Sequence, residues 1–174
     1  YIHRRYTRYR YNMNKLKIGL DLDDTIFGFM EAYLNIFKSP KSSKEIAKNV
    51  YNLRKNKQFW ENLPVINLPD FKPELICTKR INPKSYTKNA LLKINITNIP
   101  IYQLYYYNSK KSKRIKGKCD VFIDDSIDNF IDLNNAGIPC LLIDSKWNNT
   151  FETPLRIYSL KYEEIEHTFN LHFN

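Results

Sequence analysis

The sequence predicts an α/β protein, with a largely parallel sheet covered by helices on both faces and a small helical insert after the first strand. Short apolar runs of strand character alternate with helix-period segments along the chain. Two of those runs, residues 16–20 and 120–124, stop at clustered aspartates, and ligands of open α/β sheets bind just outside such strand ends. Residues 28–70, between the first and second strands, are mostly helical in pattern. At 174 residues the chain makes one domain with room for that insert. The expected division is a flexible basic arm at 1–14, a core at 15–27 and 71–174, and the insert at 28–70.

Residues 1–14 interleave Tyr and Arg without apolar periodicity, which predicts an arm and not a packed element. The first strand is 16–20. A helix is expected over 25–37, where Phe29, Tyr33 and Phe37 recur on one face, and Ser39-Pro40 breaks it. Ser42 or Ser43 caps a second helix over 44–56, and Phe59-Trp60-Glu61-Asn62-Leu63-Pro64 reads as an apolar turn. The second strand is 74–78. A helix opened by Pro83 then runs to the region of Ile96. Residues 101–107 form a Tyr-dense third strand, the basic stretch after it is partly helical, and 120–124 are the fourth strand. The helix over 127–135 stops at Gly137 in a left-handed position. Residues 139–143 are the fifth strand, 156–158 a short edge strand and 162–170 the last helix.

The net charge of +10 is concentrated in two places: residues 1–14 hold four arginines and no acid, and residues 110–118 hold six basic residues and no acid. Arg–Tyr interleaving suits single-stranded nucleic acid, through phosphate pairing and base stacking. No apolar run is long enough to cross a bilayer and no secretory pattern opens the chain, so a cytoplasmic protein without a membrane partner is expected. Cys77, Cys119 and Cys140 fall in or beside apolar runs, without metal-ligand spacing, and are expected to be buried free thiols. His3, His167 and His172 suggest no Ser-His-Asp or Cys-His arrangement.

The chemistry lies in the aspartates. Asp21 and Asp23 follow the first strand, with Asp24 and Thr25 behind them. One carboxylate there can attack phosphorus, and the other can protonate the leaving oxygen and later take a proton from water. The bland alternative is an Asp-rich turn capping the next helix. A second pair, Asp124 and Asp125, ends the fourth strand; Asp124 is the candidate direct metal ligand, Asp125 its supporting partner, and Asp128 a first-turn helix acid. Two strands ending in paired acids would hold a hard cation such as Mg²⁺, which bridges carboxylates to phosphate. Thr78, at the end of the second strand, can hold a phosphate oxygen. One lysine from Lys110, Lys111 and Lys113 can neutralise the transferring group.

The order Asp-x-Asp-x-Thr, strand-end Thr, Lys and Asp-Asp resembles the four motifs of the haloacid dehalogenase-like phosphohydrolases, over residues 15–170. The resemblance implies a Rossmann-like sheet, an Asp21 nucleophile, Asp23 as acid/base, and Mg²⁺ held by Asp21, Asp124 and the Asp23 carbonyl. It also implies Thr78 and a lysine on the phosphate, with Lys111 preferred over Lys110 and Lys113, and a small helical cap at 28–70. Within that group the segments Phe59–Pro64, Ile76-Cys77-Thr78 and Leu141–Asn148 are similar to the 5′(3′)-deoxyribonucleotidases. Phe27 and cap aromatics such as Trp60 would then line a nucleobase pocket. Lys79-Arg80 departs from the small residue common after the Thr, which makes Arg80 a candidate substrate contact. Two other readings stand beside a nucleoside monophosphate phosphatase: a phosphatase of nucleic-acid ends, whose activity falls steeply with salt, and a non-catalytic binding protein with a vestigial site.

Overall fold

In the computed structural model, residues 15–39, 42–105 and 109–173 are described. The expected arm at 1–14 lies outside them, as do Pro40 of the helix break, the end of the expected third strand, and Asn108. Six strands form one sheet in the order β3-β2-β1-β4-β5-β6. They are β1 (Ile18–Leu20), β2 (Leu75–Lys79), β3 (Ile101–Leu104), β4 (Val121–Asp124), β5 (Cys140–Ile143) and β6 (Arg156–Ile157), and every pairing is parallel. The chain order reverses direction between β1 and β4, which makes their carboxyl ends the switch point of a doubly wound sheet.

Alternation along the strands divides the core in two. Ile18, Leu20, Ile76, Val121, Ile123, Leu141 and Ile143 share one apolar cluster with Ala90 and Leu91 of α4 (Lys84–Lys93) and Ile165 of α7 (Tyr162–Phe173). Leu75, Cys77, Phe122, Cys140 and Leu142 share the other with Ile115 of α5 (Ser112–Ile115) and Phe130 and Leu133 of α6 (Ile127–Asn135). Helices therefore cover both faces, and central strands buried on both sides read as continuous apolar runs. Gly19 lets β1 lie flat here: a Cβ added to it would stand 2.7 Å from the Phe122 ring. Cys77 and Cys140 are buried, Cys119 is half-buried, and all three are free.

Between β1 and β2 lie α1 (Phe29–Phe37), α2 (Ser43–Leu53) and α3 (Lys57–Glu61). Phe29 of α1 stacks on Tyr33 and on Trp60 of α3 with ring centroids 6.1 and 5.6 Å apart, so the insert has an aromatic interior of its own. Ser42 caps α2 by accepting from the Glu45 amide, as expected from the sequence.

Several boundaries differ from expectation for local reasons. α1 starts at Phe29 and not near Thr25, because Asp24 adopts a left-handed backbone (φ 55°) and the Leu22 carbonyl collects the amides of Ile26 and Phe27 into a separate turn. The expected turn at 59–64 begins inside α3, since Asn56 Oδ1 accepts from the Phe59 amide and caps it. α4 ends at Lys93 because Asn95 (φ 60°) turns the chain left-handed, and the Ile96 amide bonds back to the Leu91 carbonyl. Gly137 (φ 72°) ends α6 as expected, with the Ile138 amide bonded to the Leu133 carbonyl. Among the described residues no helix is long and apolar enough to cross a membrane.

Candidate active site

The site forms where β1 and β4 end side by side. The pairing of Leu20 with Ile123, extended by the Asp21 amide bonded to the Ile123 carbonyl at 3.0 Å, carries Asp21 and Asp124 out of the sheet together. Asp125 follows, and carboxylate oxygens of Asp21, Asp124 and Asp125 lie within 4.8 Å of one another. Lys111 spans two of them. Its ammonium stands 2.7 Å from Asp124 Oδ2 and 2.8 Å from Asp21 Oδ1, the second as an ion pair without hydrogen-bond alignment.

Every group in this cluster is shaped by burial. Burial raises the Asp124 carboxyl above the usual carboxylate range; Lys111 opposes the rise and Asp21 adds to it. Asp125 is raised further, by burial and then by the neighbouring charges of Asp124 and Asp21. Lys111 is held protonated: burial opposes its charge, but Asp124 and Asp21 outweigh it. Among the described residues Lys111 is the ammonium ion-paired with this group of three carboxyls, and crowding of their charges is costly without a further cation. An oxygen-only set of this kind fits a hard divalent cation.

Behind the cluster stands a second row of polar bonds. Asp124 Oδ1 accepts from the Ser126 amide (3.0 Å) and from Asn129 Nδ2 (3.1 Å), and Lys79 Nζ donates to Asn129 Oδ1 (2.8 Å). Asn148, fully buried, donates to the carbonyls of Asp125 (2.8 Å) and Ile143 (2.9 Å), tying the end of β4 to the end of β5. Thr25 Oγ1 lies 3.5 Å from Asp125 Oδ1. Asp24 turns away from the cluster and accepts from the Met30 amide at 3.0 Å, so this aspartate does cap the following helix. Burial, with the nearby Asp23 and Asp21 charges and against the Met30 bond, pushes its carboxyl up to about 7.

Thr78, the last residue but one of β2, has its Oγ1 fully buried and without a hydrogen-bond partner among the described residues. An unpartnered buried hydroxyl is costly and marks a place for a polar ligand atom. Beside the cluster, Asp23 opens on a cavity of about 680 Å³, whose wall carries Phe29, Met30 and Val50 of the insert and Lys79, Ile81 and Leu104 of the core. That volume and mostly apolar lining suit a small organic group.

Of the residues singled out in the sequence, Asp21, Asp124, Asp125 and Lys111 come together, with Thr78 on the adjoining strand. Lys113 does not join them: it is exposed on α5, and its neighbour Lys110 is drawn off to Asp132 at 2.8 Å. Trp60 lines the cavity but is only 1% exposed, its Nε1 donating to the Leu53 carbonyl. Phe27 is buried. Arg80, the candidate substrate contact, is also buried; its guanidinium lies 5.6 and 5.4 Å from the Phe27 and Trp60 ring centroids and bonds the Asp23 carboxylate. Asn129 escaped the sequence reading. Its only signal there is its place three residues after the helix cap Ser126, on the turn facing Asp124.

No protein-family model matches the sequence, and no curated protein matches it. Among solved structures, a haloacid dehalogenase-like family hydrolase of Streptococcus pneumoniae superposes with a TM-score of 0.58 at 14% identity, covering 88% of this chain and 98% of its own. The HAD hydrolase YfnB of Bacillus subtilis, in a magnesium-bound form, gives 0.47 at 12% identity over 91% and 99%. The first likeness shows a common architecture: this chain shares the Rossmann-like α/β fold of that streptococcal hydrolase.

Proposed function

We propose that this chain is a magnesium-dependent phosphomonoester hydrolase that works through an aspartyl-phosphate on Asp21, and that its substrates are nucleoside monophosphates. The observation that carries the reading is the convergence of Asp21, Asp124, Asp125 and Lys111 at the β1–β4 switch point. Asp21, Asp124 and Asp125 are the side chains that would hold Mg²⁺, with the Asp23 carbonyl beside them. When bound, the ion would offset the crowded carboxylate charge and polarise the phosphoryl oxygens.

The residues divide the work. An Asp21 carboxylate oxygen attacks phosphorus, and the bond from phosphorus to the leaving oxygen breaks as Asp23 gives that oxygen a proton. Lys111 neutralises charge at the Asp21 carboxylate, and Thr78 Oγ1 donates to a phosphoryl oxygen. Water then attacks phosphorus, Asp23 takes its proton, and the Asp21–phosphorus bond breaks to release phosphate and restore both carboxyl groups. Burial, against the opposing charge of Arg80, raises the Asp23 carboxyl, which suits a group that must carry a proton. The cavity beside Asp23 accommodates the nucleoside, with Phe29 and Trp60 in its wall.

Phosphate release from a panel of mononucleotides and end-phosphorylated oligonucleotides, with Mg²⁺ or chelator and at two salt levels, tests this. The expected result is Mg²⁺-dependent release from mononucleotides with little salt dependence, lost in Asp21→Asn while the fold is kept. Release that survives the chelator or the Asp21→Asn change removes the mechanism. A preference for oligonucleotide ends that collapses with salt moves the substrate to nucleic acid.

A further inference from the structure

Arg80 follows β2, where a residue exposed to substrate was expected, yet its side chain is 0% exposed. Its Nε donates to both oxygens of Asp23, at 3.1 Å to Oδ1 and 2.9 Å to Oδ2, and its Nη2 donates to Oδ1 as well. The guanidinium also packs against two rings, 5.6 Å from the centroid of Phe27 in the loop after β1 and 5.4 Å from that of Trp60 in the insert. Trp60 is anchored in turn through its bond to the Leu53 carbonyl. The backbone at Arg80 is also held, its carbonyl accepting from Gln103 Nε2 at 3.1 Å. Nε and Nη2 thus brace one carboxylate, which borders the cavity, while Nη1 is buried without a hydrogen-bond partner among the described residues.

We infer that Arg80 is a positioning residue for Asp23: its fork fixes the plane of the carboxylate that delivers the proton to the leaving group. The bonds form a fork, with Nε on Oδ2 at 2.9 Å and Nη2 on Oδ1, and the longer 3.1 Å contact from Nε to Oδ1 shares the same hydrogen, so the plane of the carboxylate is fixed. Because Trp60 supports the guanidinium, the insert sets the orientation of the acid as well as walling the cavity. The inference rests on the phosphomonoester hydrolase reading, and deepens it by separating the residue that holds the acid from those that hold phosphate.

Leaving-group dependence tests it. An alkyl ester such as a nucleoside 5′-monophosphate needs its leaving oxygen protonated, whereas p-nitrophenyl phosphate expels a stable phenolate and does not. In Arg80→Met, the rate of phosphoryl transfer to Asp21, read by rapid quench or by the nitrophenol burst, should fall about 100-fold for the alkyl ester and less than about 3-fold for the aryl ester. KM should stay within about 3-fold for both, and Arg80→Lys, which keeps the charge without the fork, should fall between wild type and Arg80→Met. Equal losses on both esters, or a raised KM at unchanged kcat, overturn the inference.

The urea unfolding of Asp23→Asn, Arg80→Met and the double variant separates this from a failure of the wider reading. The double-mutant cycle should show the two changes coupled by more than tenfold in the unfolding constant. A wild type that transfers phosphate from no ester, with that coupling present, defeats the hydrolase reading and leaves the brace standing. Independent changes defeat the brace whatever the activity.

Discussion

Thr78 and Asp24 both lie within the acidic site's neighbourhood, and opposite chemistry is expected when each is replaced. Thr78 Oγ1 is buried without a partner among the described residues, so Thr78→Val, which keeps the shape and deletes the hydroxyl, should leave stability within about 1 kcal/mol of wild type or raise it. If the hydroxyl serves phosphate, kcat/KM in the same variant should fall about tenfold; unfolding and steady-state assays on one preparation decide it. Asp24 is a structural acid, bonded to the Met30 amide and pushed up to about 7 by burial. An acid whose carboxyl is raised on folding binds more protons in the folded state, so its contribution weakens stability as pH rises from its unfolded value through about 7. In chelator, Asp24→Asn should therefore flatten the fall in stability between pH 5 and 8, by roughly 1–3 kcal/mol, while its remaining side-chain oxygen still caps α1. Urea titrations across that range read the slope, and an unchanged slope rules the assignment out.

At the scale of the element, the strand ends were legible because two different rules meet there: continuous apolar runs mark buried parallel strands, and charges at their ends need a reason. β1, β4 and the acids after them could be read directly for that cause. Helix starts were less legible. Nothing in Asp23-Asp24-Thr25 signals that Asp24 will take a left-handed backbone and delay α1 to Phe29. From the residues alone Lys111 was one of several lysines, preferred over Lys110 and Lys113 only with the family resemblance, since the choice depends on where the short α5 begins. Arg80 read as a candidate substrate contact, because an Arg beside Lys79 gives no hint of a carboxylate waiting 57 positions earlier. The brace between β4 and β5 is of the same long-range kind. Asn148 joins the Asp125 and Ile143 carbonyls and also accepts from Arg156 at 2.7 Å, so Asn148→Ala would leave several buried groups unpaired. A loss of about 2–4 kcal/mol is expected in urea unfolding. A change under about 0.5 kcal/mol would show that the brace is dispensable.

For the whole molecule, the sheet order decides where charge can be gathered. Placing β1 beside β4 brings together acids separated by about a hundred residues of chain, and the unfolded chain has no such site. Folding thus concentrates negative charge that the lysine between Asp21 and Asp124 only partly offsets, at a cost that a divalent cation would remove. A cation that binds the folded chain alone stabilises it by mass action, about 2.7 kcal/mol at a hundred times its dissociation constant. For a domain of this size that corresponds to a melting shift of roughly 5–10 °C. Thermal melts should therefore rise on adding Mg²⁺ to chelator-treated wild type. The rise should shrink in Asp125→Asn and vanish in Asp124→Asn, a variant whose remaining oxygen can still accept from Ser126 and Asn129. Because the measurement needs no substrate, it separates the cation site from the reaction assigned to it. A wild type whose melting is indifferent to Mg²⁺ would leave the fold intact, with its acidic cluster balanced by protons and Lys111 in place of a metal.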